Sequence, residues 1–469
     1  MLPAPFVIPP PTARVDKILV CESGGWAKKV AGIKDVPAES VVPVPEFGPD
    51  GRPTEALLYV WTRDEWILGS VAGKASVLRM PGKRMLDAWG TEYFRKRGWH
   101  VLSIGTARGE QDRRFDDGGN LIVTPPIMPD YPYGRIVVGH GMQKPLKGFF
   151  RAQRVQAGPN GRLVEIDTSW LRVGHADEIV SFVPRKDGFS VVLPDPEAGL
   201  RLLGSVPSER VLFHDGGKEA ASTVQAAGAR YIEDTSGILG KGKWKYIRIF
   251  SGRGAGQIAL VRNIEGNRAV IDRAWLPRGP GPSLAIRYAR EGICDSMPIW
   301  FQVPDLTSRY VVVENSKMWL DGRGDEFPAV ITVGELTADS RLKKLAKTCS
   351  DRLYGRGGVL KNLRKALDIP DEQVIRLPVL LSGDEENMNV SSLIPNPTNL
   401  VIINNKAIIL RPFGPRRDPA DDATDIFQES WLDELKQANV RSVILDGWNS
   451  LHRSWGGARC GTNTVRTLP

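Results

Sequence analysis

Between Val15 and Phe213 short apolar runs alternate with turns: KILVC, ALLYVW, ILGSV, NLIVTPP, GRIVVG, EIVSFVP and FSVVLP have the length and β-branched content of strands. Helical spacing interrupts them, as from Arg84 to Arg97, where Met85, Leu86, Trp89, Tyr93 and Phe94 recur near a helical period. The alternation predicts an α/β fold of many small units. From Gly216 to Val333 the pattern changes to short strands (KYIRIF, GQIALVRNI, NRAVIDRAW, LAIRYA) parted by Gly- and Pro-rich turns. That stretch reads as an inserted β-rich domain, so residues 1–215 and 334–469 become two parts of one α/β unit around residues 216–333. Within the insert, SGRGAGQ at Ser251 to Gln257 resembles a phosphate-binding loop only on the surface, because an alternating strand follows where a helix would have to open.

After Asp339 the α/β pattern returns. Leu342, Leu345, Cys349 and Leu353 mark one helical face, which makes Cys349 a core thiol, and Val359 to Leu367 predicts a second helix ended before Pro370. LVIINNKAIIL reads as two strands around an Asn-Asn-Lys turn, and Ile426 to Gln437 as an amphipathic helix feeding the strand SVILDG.

Composition narrows the function. A chain of 469 residues that is 41% hydrophobic and 25% charged is ordinary globular material. No run approaches the roughly 18 apolar residues of a membrane span, and the opening MLPAPFVIPPPTARVD lacks a secretory pattern, so no membrane association is expected. The net charge of +9 is spread among 54 carboxylates rather than gathered into basic runs, which argues against a nucleic-acid partner. Four scattered cysteines, Cys21, Cys294, Cys349 and Cys460, fit neither a disulfide scaffold nor a CxxC metal site. They point to a reducing, cytoplasmic setting.

Three segments carry candidate chemistry. In WGGARCGTN, Gly456, Gly457 and Gly461 permit a tight turn around Cys460, and Arg459 with nearby N–H groups favours a thiolate; the alternative is a cysteine that merely ends a strand. In RVGHADEIVSF, His175 and Asp177 lie two apart on an expected strand and so share a face. In VWTRDEWILGS, Asp64 and Glu65 interrupt an apolar run between Trp61 and Trp66 on an expected strand, where they must face solvent or a polar pocket. A thiol, an imidazole and two carboxylates together suit a planar cation. Carboxylates accept the N–H groups of a guanidinium in pairs, and a thiolate can attack its central carbon once charge and protons are managed.

At these residues the chain resembles the catalytic domain of the vertebrate-type peptidylarginine deiminases, in the guanidino-group modifying superfamily. WTRDE, VGHADEIVSFVP and RCGTNTVR are similar to that family's three motifs in order and spacing, as are GGNLIVTPP, PYGRIVVG and RPFGP. The resemblance implies a pseudo-symmetric five-bladed α/β propeller of ββαβ units, the pentein fold. It implies Cys460 as nucleophile, His175 as general acid/base, and Asp64 and Asp177 as the groups gripping the guanidinium. Trp61 matches an aromatic lining the substrate slot, and Arg84 an arginine holding the substrate backbone. The implied reaction turns peptidyl-arginine into citrulline and ammonia, with arginine-containing proteins as partners. Deimination or amidino transfer on free arginine or agmatine uses the same side chains and stays open; a Cys-His-Asp acyl transferase fits less well, because two gripping carboxylates would be superfluous.

The chain departs from the family in three respects. The family's amino-terminal immunoglobulin-like domains have no counterpart in this stretch, the β-rich insert lies outside the vertebrate pattern, and the arginine expected shortly before the cysteine motif is displaced, with Ser454 there and Arg453 beside it. Vertebrate members need calcium, yet Arg63 and Ile67 stand where the family has amide and carboxylate ligands, Ile122 where it has an acid, and Arg79 and Met80 where an Asp-Ser pair is expected. No cofactor is therefore expected, although Asp112, Asp116 and Asp117 leave room for a different calcium site.

Overall fold

The computed structural model describes residues 4–45, 61–81, 87–104, 114–213, 215–275, 302–320, 326–383, 389–418 and 425–467. Most of ALLYVW, all of LAIRYA, the start of the expected Arg84 helix and the acid Asp112 fall outside them.

Five small sheets repeat one pairing scheme, in which two antiparallel strands are followed by helix and then by a third strand parallel to one of them. The first joins Trp66–Val71 to Lys74–Arg79, crosses over by the helix Asp87–Arg95, and adds His100–Ser103. Leu121–Val123, Ile136–Val138 and Val164–Glu165 make the second, and Ser181–Arg185, Gly188–Asp195 and Val374–Pro378 the third. In the fourth, Val401–Ile403 and Lys406–Leu410 turn at Asn404 and Asn405, both at positive φ, and the helix Ile426–Gln437 leads to Arg441–Leu445. The fifth brings the two ends of the chain together: Thr462–Arg466 pairs antiparallel with Val15–Cys21, which pairs parallel with Val41–Val44. The α/β class is thus what the sequence pattern predicted. Parallel third strands require crossovers, and in each unit an amphipathic helix supplies one.

The largest core cluster packs the third sheet against the helices Ser340–Tyr354 and Val359–Leu367. Leu342, Leu345, Cys349 and Leu353 are all buried on it, as their spacing predicts. Asp339 caps the first of these helices, its Oδ1 accepting from the N–H groups of Arg341 (2.8 Å) and Leu342 (3.1 Å), a contribution of about 1 kcal/mol.

The long connection of the third unit carries the insert. Seven strands between Glu219 and Val313 form one antiparallel sheet, with Val224, Ile232, Trp244, Ile249, Tyr310 and Val312 in a core of their own. Ser251–Gln257 is a turn, with Gly252, Gly254 and Gly256 at positive φ, and the strand Ile258–Glu265 follows. A buried ion pair ties the insert to the α/β unit: Arg248, 1% exposed, reaches Glu335 with Nη2 at 2.6 Å and Nε at 3.0 and 3.1 Å from the two oxygens. Glu335 also accepts from the Thr332 N–H at 2.8 Å, closing the capping box of the helix Val333–Ala338. No helix among the described residues is long and apolar enough to cross a membrane.

Candidate active site

Asp64, His175, Asp177 and Cys460 come from three distant parts of the chain, and all are buried. Asp64 lies on a single helical turn, Thr62–Glu65, not on the expected strand, which begins only at Trp66. Tertiary hydrogen bonds override the local alternation. The Arg63 N–H donates to the Cys460 carbonyl (3.2 Å), and Asn463 Nδ2 donates to the carbonyls of Thr62 (3.3 Å) and Trp66 (2.8 Å). The Asp64 turn is thereby fastened to the strand that follows the cysteine.

His175 and Asp177 do not share a strand either. His175 precedes the 3-10 turn Ala176–Glu178, and the Glu178 carboxylate accepts the His175 N–H at 2.9 Å. The acid three places on closes a capping box, which curls the segment where residue alternation alone suggested extension. Both side chains still converge. A β-carbon on Gly119 would stand 2.6 Å from His175 Nδ1, 2.9 Å from Asp64 Oδ1 and 3.2 Å from Asp177 Oδ2, so only glycine leaves room where these groups meet. The Gly119 N–H also donates to Asp64 Oδ1 at 3.1 Å.

The imidazole lies between two acids, with Nδ1 3.7 Å from Asp64 and Nε2 3.7 Å from Asp117. Asp177 has both oxygens buried and, among the described residues, without a hydrogen bond; Arg459 Nε is 3.4 Å away. Burial pushes its acid up from 3.8 to about 6, with Arg459 and His175 opposing the shift. Burial likewise lifts Glu178 to about 8. The Cys460 thiol is driven well up, first by burial and then by the negative charges of Asp177 and Asp64.

Asn399 organises the nucleophile loop, a role its sequence setting gave no sign of. Its Nδ2 donates to Cys460 Sγ (3.2 Å) and to the Asp177 carbonyl (3.1 Å), while its Oδ1 accepts from the N–H groups of Arg459 (3.0 Å) and Cys460 (3.2 Å). Glu178 was also unassigned, and Asp117 beside His175 was read only as a calcium ligand; DDGGN and HADE, with their adjacent acids, were the available signals. Trp61 lies beside the nucleophile loop: its ring is so close to Gly456 that a β-carbon there would come within 2.1 Å of it. Arg84 lies outside the described residues.

A cavity of about 20 Å³ reaches Cys460, lined among others by Glu178, Asn399, Trp455 and Gly456. Trp455 is 44% exposed, with the Arg172 guanidinium 3.5 Å above its ring. That is room for a water molecule rather than a guanidinium.

Among the described residues, the positions that the resemblance matches to calcium ligands carry no oxygen donors on their side chains. The positions matched to family ligands hold Arg63, with Nη2 donating to the Leu121 carbonyl at 3.1 Å, and the buried apolar side chains Ile67, Met80 and Ile122. Asp64, Asp117 and His175 do bring ligand atoms within 4.8 Å of one another. One of the three is an imidazole, whereas calcium takes six to eight oxygens.

The family model for protein-arginine deiminase (PAD) matches residues 1–234 and 316–468, leaving most of the insert unmatched. A stretch of 101 residues is 42% identical to protein-arginine deiminase type-1 of Mus musculus, covering 19% of this chain and 14% of that protein. The type-3 protein of Mus musculus is 35% identical over 161 residues (30% and 23%), and the type-4 protein of Rattus norvegicus 28% over 228 residues (44% and 32%). The aligned parts thus span less than a third of the length of these relatives. Among solved structures, C. jejuni agmatine deiminase aligns over 99% of this chain and 97% of its own, at 9% identity and a TM-score of 0.41. Enterococcus faecalis agmatine deiminase aligns over 99% and 96%, at 8% identity and 0.39.

Proposed function

Because the chain belongs to the protein-arginine deiminase family, we propose that it hydrolyses the guanidinium of peptidyl-arginine to citrulline and ammonia through a covalent intermediate on Cys460. The observation that carries this reading is the convergence of Asp64, Asp177 and His175 on the single point above Gly119. Asp177, buried with no hydrogen bond to either oxygen among the described residues and with Arg459 as a charge partner at 3.4 Å, has acceptor capacity left for a guanidinium that a neutral substrate would not use.

In this mechanism the arriving guanidinium neutralises Asp64 and Asp177, removing two of the charges that hold the thiol protonated. The Cys460 proton passes to His175, and the sulfur adds to the guanidinium carbon. The carbon–nitrogen bond to one terminal amine breaks as His175 returns the proton, so ammonia leaves and a thiouronium remains. Water, losing a proton to His175, adds to the same carbon; the carbon–sulfur bond then breaks, giving citrulline and the free thiol. Asn399 holds the sulfur throughout, and Trp61 walls the slot.

The five like-paired sheets support a five-bladed pentein propeller, with residues 216–333 a domain inserted in the third blade. Arg63 and the apolar side chains at the calcium positions support activity without metal. The test is citrulline formation from a blocked peptidyl-arginine, free arginine and agmatine. Turnover of the peptide alone supports the proposal, turnover of agmatine or arginine alone transfers the function to small guanidines, and no turnover of any refutes it.

A further inference from the structure

Cys460 faces one cavity and Arg459, its neighbour, lines another. The second cavity, about 40 Å³, shares no lining residue with the first; Arg63, Arg459, Arg466, Thr462, Asn463 and Thr464 contribute its polar wall. The strand Thr462–Arg466 explains why. Residues two apart on a strand share a face, so the alternation TNTVR turns Thr462, Thr464 and Arg466 to one side. The Arg63 turn is bonded to the start of the same segment through Cys460 and Asn463.

Three guanidiniums around one small space need negative charge. Arg63 and Arg459 have some, in Asp64 and Asp177. Arg466 has none: among the described residues it bonds only to neutral oxygens, the carbonyls of Pro11 (2.7 Å), Ala13 (2.8 Å) and Ile402, and the Thr464 hydroxyl (2.9 Å). Burial and the charges of Arg459 and Arg63 depress it to about 9, so it still carries its charge at neutral pH. Arg63, only 9% exposed, keeps a buried Nε with no hydrogen-bond partner among the described residues. Charges drawn out of water are ordinarily paired, and here Arg466, half-buried, has its coordination completed by carbonyls and a hydroxyl that supply no charge.

We infer that this cavity binds one small monovalent anion of the halide class, held by the guanidiniums of Arg63, Arg459 and Arg466 with the hydroxyl face of Thr462 and Thr464. A water needs on the order of 10–15 Å³ of such space, so a halide fits and a phosphorylated metabolite does not. The ion would lie behind the nucleophile loop and share Arg459 with Asp177, leaving that arginine less able to occupy the carboxylate meant for substrate. The inference rests on the rear cavity alone and does not depend on the reaction proposed above.

The probes are chloride and bromide on the intact protein. Wild-type protein should broaden the ³⁵Cl resonance of dilute chloride, bromide should compete the broadening away, and crystals soaked in bromide should give an anomalous peak amid the three guanidiniums. Arg466→Met should abolish the excess broadening. Thr464→Val, which removes only a hydroxyl and keeps the volume, should weaken chloride binding several-fold and serves if the arginine variant fails to fold. A wild-type line width equal to that of folded Arg466→Met, a broadening untouched by Thr464→Val, or a bromide map empty at the cavity would overturn the inference.

Discussion

Asn399 Nδ2 lies 3.2 Å from Cys460 Sγ, and the same side chain accepts the Cys460 N–H, so one amide fixes both the nucleophile and its backbone. Replacing it with alanine leaves the Cys460 N–H and the Asp177 carbonyl without this partner and takes one donor from the sulfur, at about 1–3 kcal/mol for a buried group left unsatisfied. Asn399→Ala should lower kcat about tenfold or more with little change in KM, and should shift the pH at which iodoacetamide alkylates Cys460. An alkylation profile and kcat both equal to wild type would show that Asn399 only supports the loop.

Asp177 must be ionised to accept a cation, and burial holds its acid near 6. Affinity of an unreactive guanidine for the Cys460→Ser protein should therefore fall as pH drops through about 6, because the protonated acid offers no charge. Asp177→Asn should weaken that affinity by on the order of a hundredfold, as expected for a buried charge pair that loses one partner. Affinity that holds or rises on acidification would contradict the assignment.

Much of the fold was legible. The helix at Ile426 to Gln437 and the Asn404–Asn405 hairpin follow from local periodicity and turn chemistry, which is all such reasoning can use. What misled was equally local: WTRDEW and GHADE alternate like strands, and each curls because of a partner that alternation does not encode, Asn463 and the Cys460 carbonyl for one and Glu178 for the other. Asn399 was invisible for a related reason. In NPTN it reads as an ordinary turn residue, and its importance arises only when folding brings it against a cysteine 61 positions away.

The Arg248–Glu335 pair joins insert and α/β unit through buried charges. Arg248→Met alone should destabilise the protein by about 3–5 kcal/mol, since it strands Glu335, whereas Arg248→Met with Glu335→Leu should recover much of that loss. Denaturant melts of the three proteins measure it. A single variant as stable as wild type would mean that the boundary carries little energy, and the insert should then be removable without further change.

With arginine and apolar side chains at the expected calcium positions, exhaustive chelation should leave turnover unchanged, and added calcium should not raise it. Assays with and without chelator on metal-stripped protein check this. A large loss restored by calcium would establish a metal site elsewhere in the chain.

The most direct measurement is intact-protein mass spectrometry on enzyme quenched during turnover of a blocked peptidyl-arginine, with citrulline assayed in the same samples. The account predicts a transient adduct of the substrate's mass less ammonia, mapped by digestion to Cys460, together with citrulline release, and neither signal from folded Cys460→Ser. Citrulline formed by the serine variant at the wild-type rate, or an adduct mapped to Cys21 or Cys349 instead, would contradict it.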